Sequence, residues 1–207
     1  MIYLRSYTLC TSLIGLSYLK NSVVDGINIF SSDNTISNNF ITEAETDGIF
    51  AFGTDSAVPT ITANRNIIKD NTIVNSNVYG IFLESGVNTV DDNQVLDNTI
   101  ISSGKDGIRV FAGKRVVIQG NTINQSGQFG IEVDSFSNLD PDFFQISEDV
   151  IIKGNSITNS GEFGIEIESD SLNTVITDNT FAGNGDGDNL LNNGTDTVLA
   201  GNVPNLM

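Results

Sequence analysis

A fixed nine-residue arc recurs along this chain and limits what it can fold into. The frame NSITNSGEFGIEIE at Asn155–Glu168 has an Asn, an Ile two positions on, and a Gly-Ile pair opening an alternating run. The same frame stands at Asn121–Gly130, Asn98–Gly107, Asn71–Gly80 and Asn39–Gly48, always with a spacing of 9. Ser17–Gly26 repeats it with Ser for Asn, and a weaker copy starts at Asn179. The distances from each Gly to the next Asn are 13, 23, 18, 14, 25 and 15. A constant arc joined by an elastic one implies a solenoid, in which each repeat is one supersecondary unit and insertions fall in loops.

Single apolar residues alternate with polar ones throughout, which is the period of a strand and not of a helix. Each repeat reads as three short strands. One precedes the Asn (Val116–Ile118, Val150–Ile152, Val175–Thr177), one follows it (Thr122–Asn124), and the third opens with Gly-Ile. The leanest repeats have enough residues to close one turn of a three-sided coil, and successive turns then stack as parallel sheets about 4.8 Å apart. The expectation is an all-β chain, a single-stranded right-handed parallel β-helix of about eight three-sided coils, with residues 1–207 as one domain.

The recurring Asn fits a turn, where it accepts left-handed backbone and its amide bonds to the next Asn in the stack. Gly26, Gly48, Gly80, Gly107, Gly130 and Gly164 read as corner residues required by φ or by crowding. These are structural roles.

Composition narrows the function. The chain of 207 residues has a formal net charge of −17, which argues against a nucleic-acid partner, since phosphates call for a basic patch. It suits cations, or a ligand reached through cations. The sequence has no His and one Cys, so the usual neutral-pH proton shuttle, a Cys cluster and an intrachain disulfide are all ruled out. No run of about 18 apolar residues exists to insert in a membrane. Arg5 and the short apolar patch after it have the outline of a secretory signal, but Ser and Thr interrupt the patch. Ser12–Leu19 (SLIGLSYL) matches Val116–Ile123 (VVIQGNTI), so this stretch reads as a degenerate first coil.

Strand alternation assigns faces. In the Gly-Ile strands, Ile49, Ile81, Ile108, Ile131 and Ile165 point inward. The outward rows are Phe50, Phe82, Arg109, Glu132, Glu166 and, beside them, Phe52, Glu84, Phe111, Asp134, Glu168. The elastic loops follow this strand directly. One side therefore carries exposed aromatics, an Arg and four carboxylates, bordered by the longest loops, as a ligand groove would be.

Glu132, Asp134, Glu166 and Glu168 fall on two stacked strands. Like charges about 5 Å apart either raise one pKa or recruit a counter-ion, and Ca2+, a hard cation wanting several oxygens, is a natural one. The alternatives are a solvated acidic face and an acid–base pair of Glu132 and Glu166. Arg109, in line with Glu132, reads as a cross-strand ion pair, or as a clamp or electrophile for a substrate carboxylate. Phe50, Phe52, Phe82, Glu84 and Phe111 are candidate substrate-binding residues, the alternative being that the loop Gly53–Asn64 covers the aromatic row.

The repeats resemble the right-handed parallel β-helix superfamily of pectate lyases, chondroitinase B, phage tailspikes and mannuronan C5-epimerases. The segment GIRVFAGKRVVIQGNTI at Gly107–Ile123 and the long excursion at Asp134–Asp149 resemble the later coils of epimerase modules. The resemblance implies an extracellular, bacterial protein that binds or modifies acidic polysaccharide, with calcium. GIEIE and GIEVD look like the calcium-holding Glu-x-Glu strand of chondroitinase B, although its catalytic Lys has no clear counterpart. The epimerase run Tyr-Gly-Phe-Asp-Pro-His, aligned on FGIEVD (Phe129–Asp134), puts Glu132 at the Asp and Asp134 at the His, so that base is missing. Polygalacturonase chemistry also needs His. A lyase using Arg or Lys with calcium survives as an enzyme class, beside a catalytically silent adhesin.

Two further patterns are weaker. Thr72, Thr99, Thr122, Ser156 and Thr180 form an outward ladder reminiscent of ice-binding surfaces, but the row beside it (Val74, Ile101, Asn124, Thr158, Ala182) is not a second Thr row. GNGDGDN at Gly183–Asn189 resembles a calcium-binding nonapeptide turn, present once. Because solenoid ends expose stacking faces and strand edges, contacts of the open coil ends with partners or further coils are also expected.

Overall fold

A computed structural model describes residues 2–5, 12–53, 61–135, 145–185 and 189–204. Among these no helix is found, and every strand pairs in parallel with its counterpart one coil away. Sheet 1 holds eight strands, from Ile2–Arg5 and Ile27–Phe30 through Ile49–Gly53, Ile81–Ser85, Ile108–Phe111, Ile131–Asp134 and Ile165–Ile167 to Leu190–Asn192. Sheet 2 holds eight, from Leu13–Gly15 to Val198–Ala200, and sheet 3 seven, from Tyr18–Lys20 to Thr180–Ala182. The result is the expected three-sided right-handed β-helix, with the Gly-Ile strands forming sheet 1.

The core is a set of aliphatic files. Ile27, Ile49, Ile81, Ile108, Ile131 and Ile165 are in register in sheet 1, and Ile36, Ile68, Val95, Ile118, Ile152 and Ile176 in sheet 2. All are fully buried. Each such side chain contributes roughly 2–3 kcal/mol of transfer free energy, and β-branched residues suit the pleated surface.

The Asn file is a hydrogen-bonded ladder. Asn98 donates its backbone N–H to Asn121 Oδ1 at 2.9 Å, and its Nδ2 to the same oxygen at 3.0 Å and to Ile68 O at 2.9 Å. The pattern runs from Ser17 N–H on Asn39 Oδ1 to Asn179 on Asn202 Oδ1. The left-handed residue, however, is not the Asn. It is the residue before it: Asn38, Asp70, Asp97, Gly120, Gly154 and Asp178 have φ between 51° and 69°. The turn bends at that residue, which leaves the Asn side chain free to point inward and stack. A shorter ladder, Asn34–Asn66–Asn93, lines another corner.

The corner glycines are required by crowding. A Cβ on Gly107 would meet Ile123 Cγ2 at 2.4 Å and Gly130 O at 2.6 Å.

Candidate functional site

The outward rows of sheet 1 come together as the alternation requires. Phe50 pairs with Phe82, Phe82 with Arg109, Arg109 with Glu132 and Glu132 with Glu166. Beside them Phe52 pairs with Glu84, Glu84 with Phe111 and Phe111 with Asp134. The aromatic residues are half-buried, not exposed as the sequence suggested. They cover one another: Phe50 stacks on Phe52 at 5.5 Å and on Phe82 at 5.4 Å, while Phe30 meets Phe50 and Phe52 edge-on. Residues 54–60 of the loop expected to cover this row lie outside the described residues.

Arg109 joins the aromatic and acidic parts. Its Nη1 lies 3.0 Å from Glu132 Oε2 and donates to the Tyr79 hydroxyl at 2.8 Å, and its Nη2 reaches Asp134 Oδ2 at 2.5 Å. The guanidinium sits 5.4 to 6.0 Å from the ring centres of Tyr79, Phe82 and Phe111. Burial alone would lower its pKa, but the charges of Glu132 and Tyr79 and the bond and charge of Asp134 hold it above the usual value. This Arg is permanently charged and its Nη atoms are committed to neighbours. A substrate carboxylate would have to displace Asp134 to reach them.

The carboxylates are less exposed than an outward row implies. Glu132 and Glu166 are only 6% and 7% exposed, the cover over Glu166 being shallow. Asp106 Oδ1 accepts the Phe129 N–H at 3.1 Å, while its buried Oδ2 has no donor and faces Glu132. Burial, followed by the bond and charge of Asp106, pushes Glu132 well up, with Arg109 opposing. Glu166 is raised to about 7, first by burial and then by Glu168, Asp106, Glu162 and Asp134. All the charges acting on it are acidic.

Glu132, Glu166 and Glu168 each offer an oxygen, and the three lie within 4.8 Å of one another. Asp134, expected in the same group, instead faces Arg109 and accepts the Ser135 N–H at 2.6 Å. The chain leaves the sheet after Asp134, and that turn directs the carboxylate sideways. The Gly183–Asn189 turn includes residues 186–188, which lie outside the described residues.

Two participants were not singled out from sequence, Tyr79 and Asp106. Both occupy the position before the corner Gly, where Asp25 and Asp47 also stand. There each carboxylate accepts the N–H of its counterpart one coil on: Asp47 N–H on Asp25 at 3.1 Å and Tyr79 N–H on Asp47 at 3.0 Å. The recurrent Asp-Gly within the nine-residue arc was the available signal.

Residues 25–203 match the family model described as the right handed beta helix region. The chain belongs to this β-helix family. No curated protein matches it in sequence. Among solved structures, this β-helix is similar to the Agl-KA catalytic domain, with 18% identity and a TM-score of 0.68 over 90% of this chain and 38% of that one. It is similar to the A-module of the Azotobacter vinelandii mannuronan C-5 epimerase AlgE6, with 16% identity and a TM-score of 0.63 over 90% of this chain and 58% of that one. It is also similar to the enzymatically active domain of bacteriophage CBA120 tailspike protein 2, with 16% identity and a TM-score of 0.58 over 90% of this chain and 34% of that one. At these identities the likeness is one of fold, and the β-helix spans between about a third and three fifths of these structures.

Proposed function

We propose that the outer face of sheet 1 binds a polysaccharide laid along the solenoid axis, an acidic one approached through a calcium ion held by Glu132, Glu166 and Glu168. One observation carries this reading: three carboxylates converge within 4.8 Å beside an aromatic ladder, while Arg109, the nearest cation, is already engaged with Asp134 and Glu132. Three close carboxylates, of which only Glu132 has a cation in contact, suit a hard divalent ion. Calcium, when bound, would offset the repulsion between these carboxylates and a uronate. The half-buried rings of Phe50, Phe52, Phe82 and Phe111 supply apolar contact, and Glu84 between them supplies an acceptor for sugar hydroxyls. The named activities of the similar structures, a mannuronan epimerase module and an enzymatically active tailspike domain, support a glycan ligand and an extracellular setting.

If the chain also turns its ligand over, Arg109, Glu132 and Glu166 are the groups available, since no His is present. Glu166, raised to about 7, is the one suited to exchange a proton near neutrality. Arg109 would stabilise developing negative charge only after leaving Asp134. That commitment favours binding over turnover, the adhesin-like reading.

Calorimetric titration of calcium into the protein tests the metal, with Glu166→Gln as control. Saturable binding lost in the variant is expected, and equal heats from both proteins refute the site. Retention on alginate, pectin and chondroitin, each with calcium and with chelator, tests the ligand. Absorbance from unsaturated product reports cleavage, and NMR of the polymer reports epimerisation. Calcium-dependent retention without either signal identifies the binding form.

A further inference from the structure

The outer face of sheet 2 takes no part in that site. Its first outward row contains Leu13, Ile67, Val117, Ile151, Val175 and Val198, with Thr35 and Gln94 between them, all in register. None is buried, and Leu13, Ile151 and Val198 are among the most exposed apolar side chains of the described residues. The strands of sheet 2 themselves carry no carboxylate, in a chain of net charge −17. Five of the nine basic residues, Arg65, Lys69, Lys114, Arg115 and Lys153, lie on this face or its leading edge. That edge is a column of left-handed corner residues that alternates in sign over Asp33, Arg65, Asp92, Arg115 and Asp149 and continues with Asn173 and Asp196. Within it Arg65 bonds Asp33 and Arg115 bonds Asp92, each at 2.7 Å.

We infer that this face is a homodimer interface, on which a second copy of the chain packs antiparallel about a two-fold axis between the strands of Gln94 and Val117. The sequence of the face is self-complementary in that register. The axis sets Ile67 opposite Ile151 of the second copy, Leu13 opposite Val198, Thr35 opposite Val175 and Gln94 opposite Val117, so all eight strands overlap. The same operation sets Arg65 opposite Asp149 and Asp92 opposite Arg115. Shifting one copy by a single coil brings like charges together along the edge. At the trailing edge Lys69 meets Lys153, but each has an acid beside it, Asp70 and Asp178, to turn to. Eight strands span about 34 Å, and with a width of about 15 Å each copy covers about 500 Å². The total of about 1,000 Å² lies at the threshold for a specific interface, the size of a weak, reversible one.

Sedimentation velocity over a hundredfold range of concentration tests this. A reversible dimer is expected, and a monomer throughout overturns the inference. Ile151→Asp should weaken the dimer at least tenfold while the unfolding midpoint of the dilute protein stays unchanged; Ile67→Ser serves should the first variant fold poorly. A dimer that survives both substitutions refutes this face as the interface. Register is read in a Cys10→Ser background with a short bis-maleimide. Ile67→Cys and Ile151→Cys chains should cross-link when mixed and not separately, and any other pattern refutes the antiparallel arrangement. Calcium and glycan binding on sheet 1 are read in separate assays, so either proposal can fail alone.

Discussion

Asn98 carries a heavy structural load for one side chain. Its Oδ1 accepts the N–H and Nδ2 of Asn71, and its Nδ2 satisfies Ile68 O and Asn121. Asn98→Ala strands these groups in the core and is expected to lower stability by about 2–4 kcal/mol in urea denaturation. Asp47 acts through charge. Burial raises its carboxyl to about 7 despite the N–H it accepts from Tyr79. In the unfolded chain it titrates near 3.8, so between these values the folded state binds more protons. Its contribution is full at low pH and is lost as pH rises from about 4 towards 7. Asp47→Asn, which keeps the acceptor for Tyr79, should flatten that fall and exceed the wild type above pH 7, by at most about 4 kcal/mol. Thermal melts across this range measure it. The slope left in the variant is the net of the other raised carboxyls, Glu132, Glu166, Asp91 and Asp106, against the lowered Asp33 and Asp92.

The strands show which interactions carry the fold. The Asp–Arg column beside sheet 2 has good geometry, yet Arg65 and Arg115 are half-exposed. Exposed pairs are worth about 0–1 kcal/mol, so Arg115→Ala should shift the denaturation midpoint little. Ile123, in sheet 3 and fully buried, should cost about 2–5 kcal/mol as Ala. The contrast is a difference between solvated charge and apolar packing. Alternation made the inward files of every strand readable, because a side chain's face depends only on its own parity. It placed Asp134 with the other acids for the same reason, and that failed. Asp134 ends its strand, and its orientation is set by Arg109 on the neighbouring coil and by the turn to Ser135. Parity gives a direction but says nothing of how far the next side chain reaches.

At the scale of the molecule, each strand pairs only with those one coil away, so stability is close to a sum of coil and interface terms. Deleting residues 98–120 removes one whole turn and sets Asn71 against Asn121. That protein should keep a β-type circular dichroism spectrum and a cooperative melt at lower temperature. Deleting residues 98–109, half a turn, puts inward files against outward ones and should abolish cooperative unfolding.

The coil was legible from the residues alone: a constant arc from Asn to Gly-Ile, with strand parity inside it, leaves a three-sided parallel stack as the way to bury the inward Ile files. It also brought Phe50, Phe82, Arg109, Glu132 and Glu166 into one column. Which of these are covered, that Arg109 belongs to Asp134, Glu132 and Tyr79, and that Asp106 faces Glu132 emerged from the packed fold alone. Burial and pairing depend on diagonal reach between coils and on side chains entering from the corner. Those distances are set by the lengths and directions of neighbouring side chains, which a repeat period does not encode.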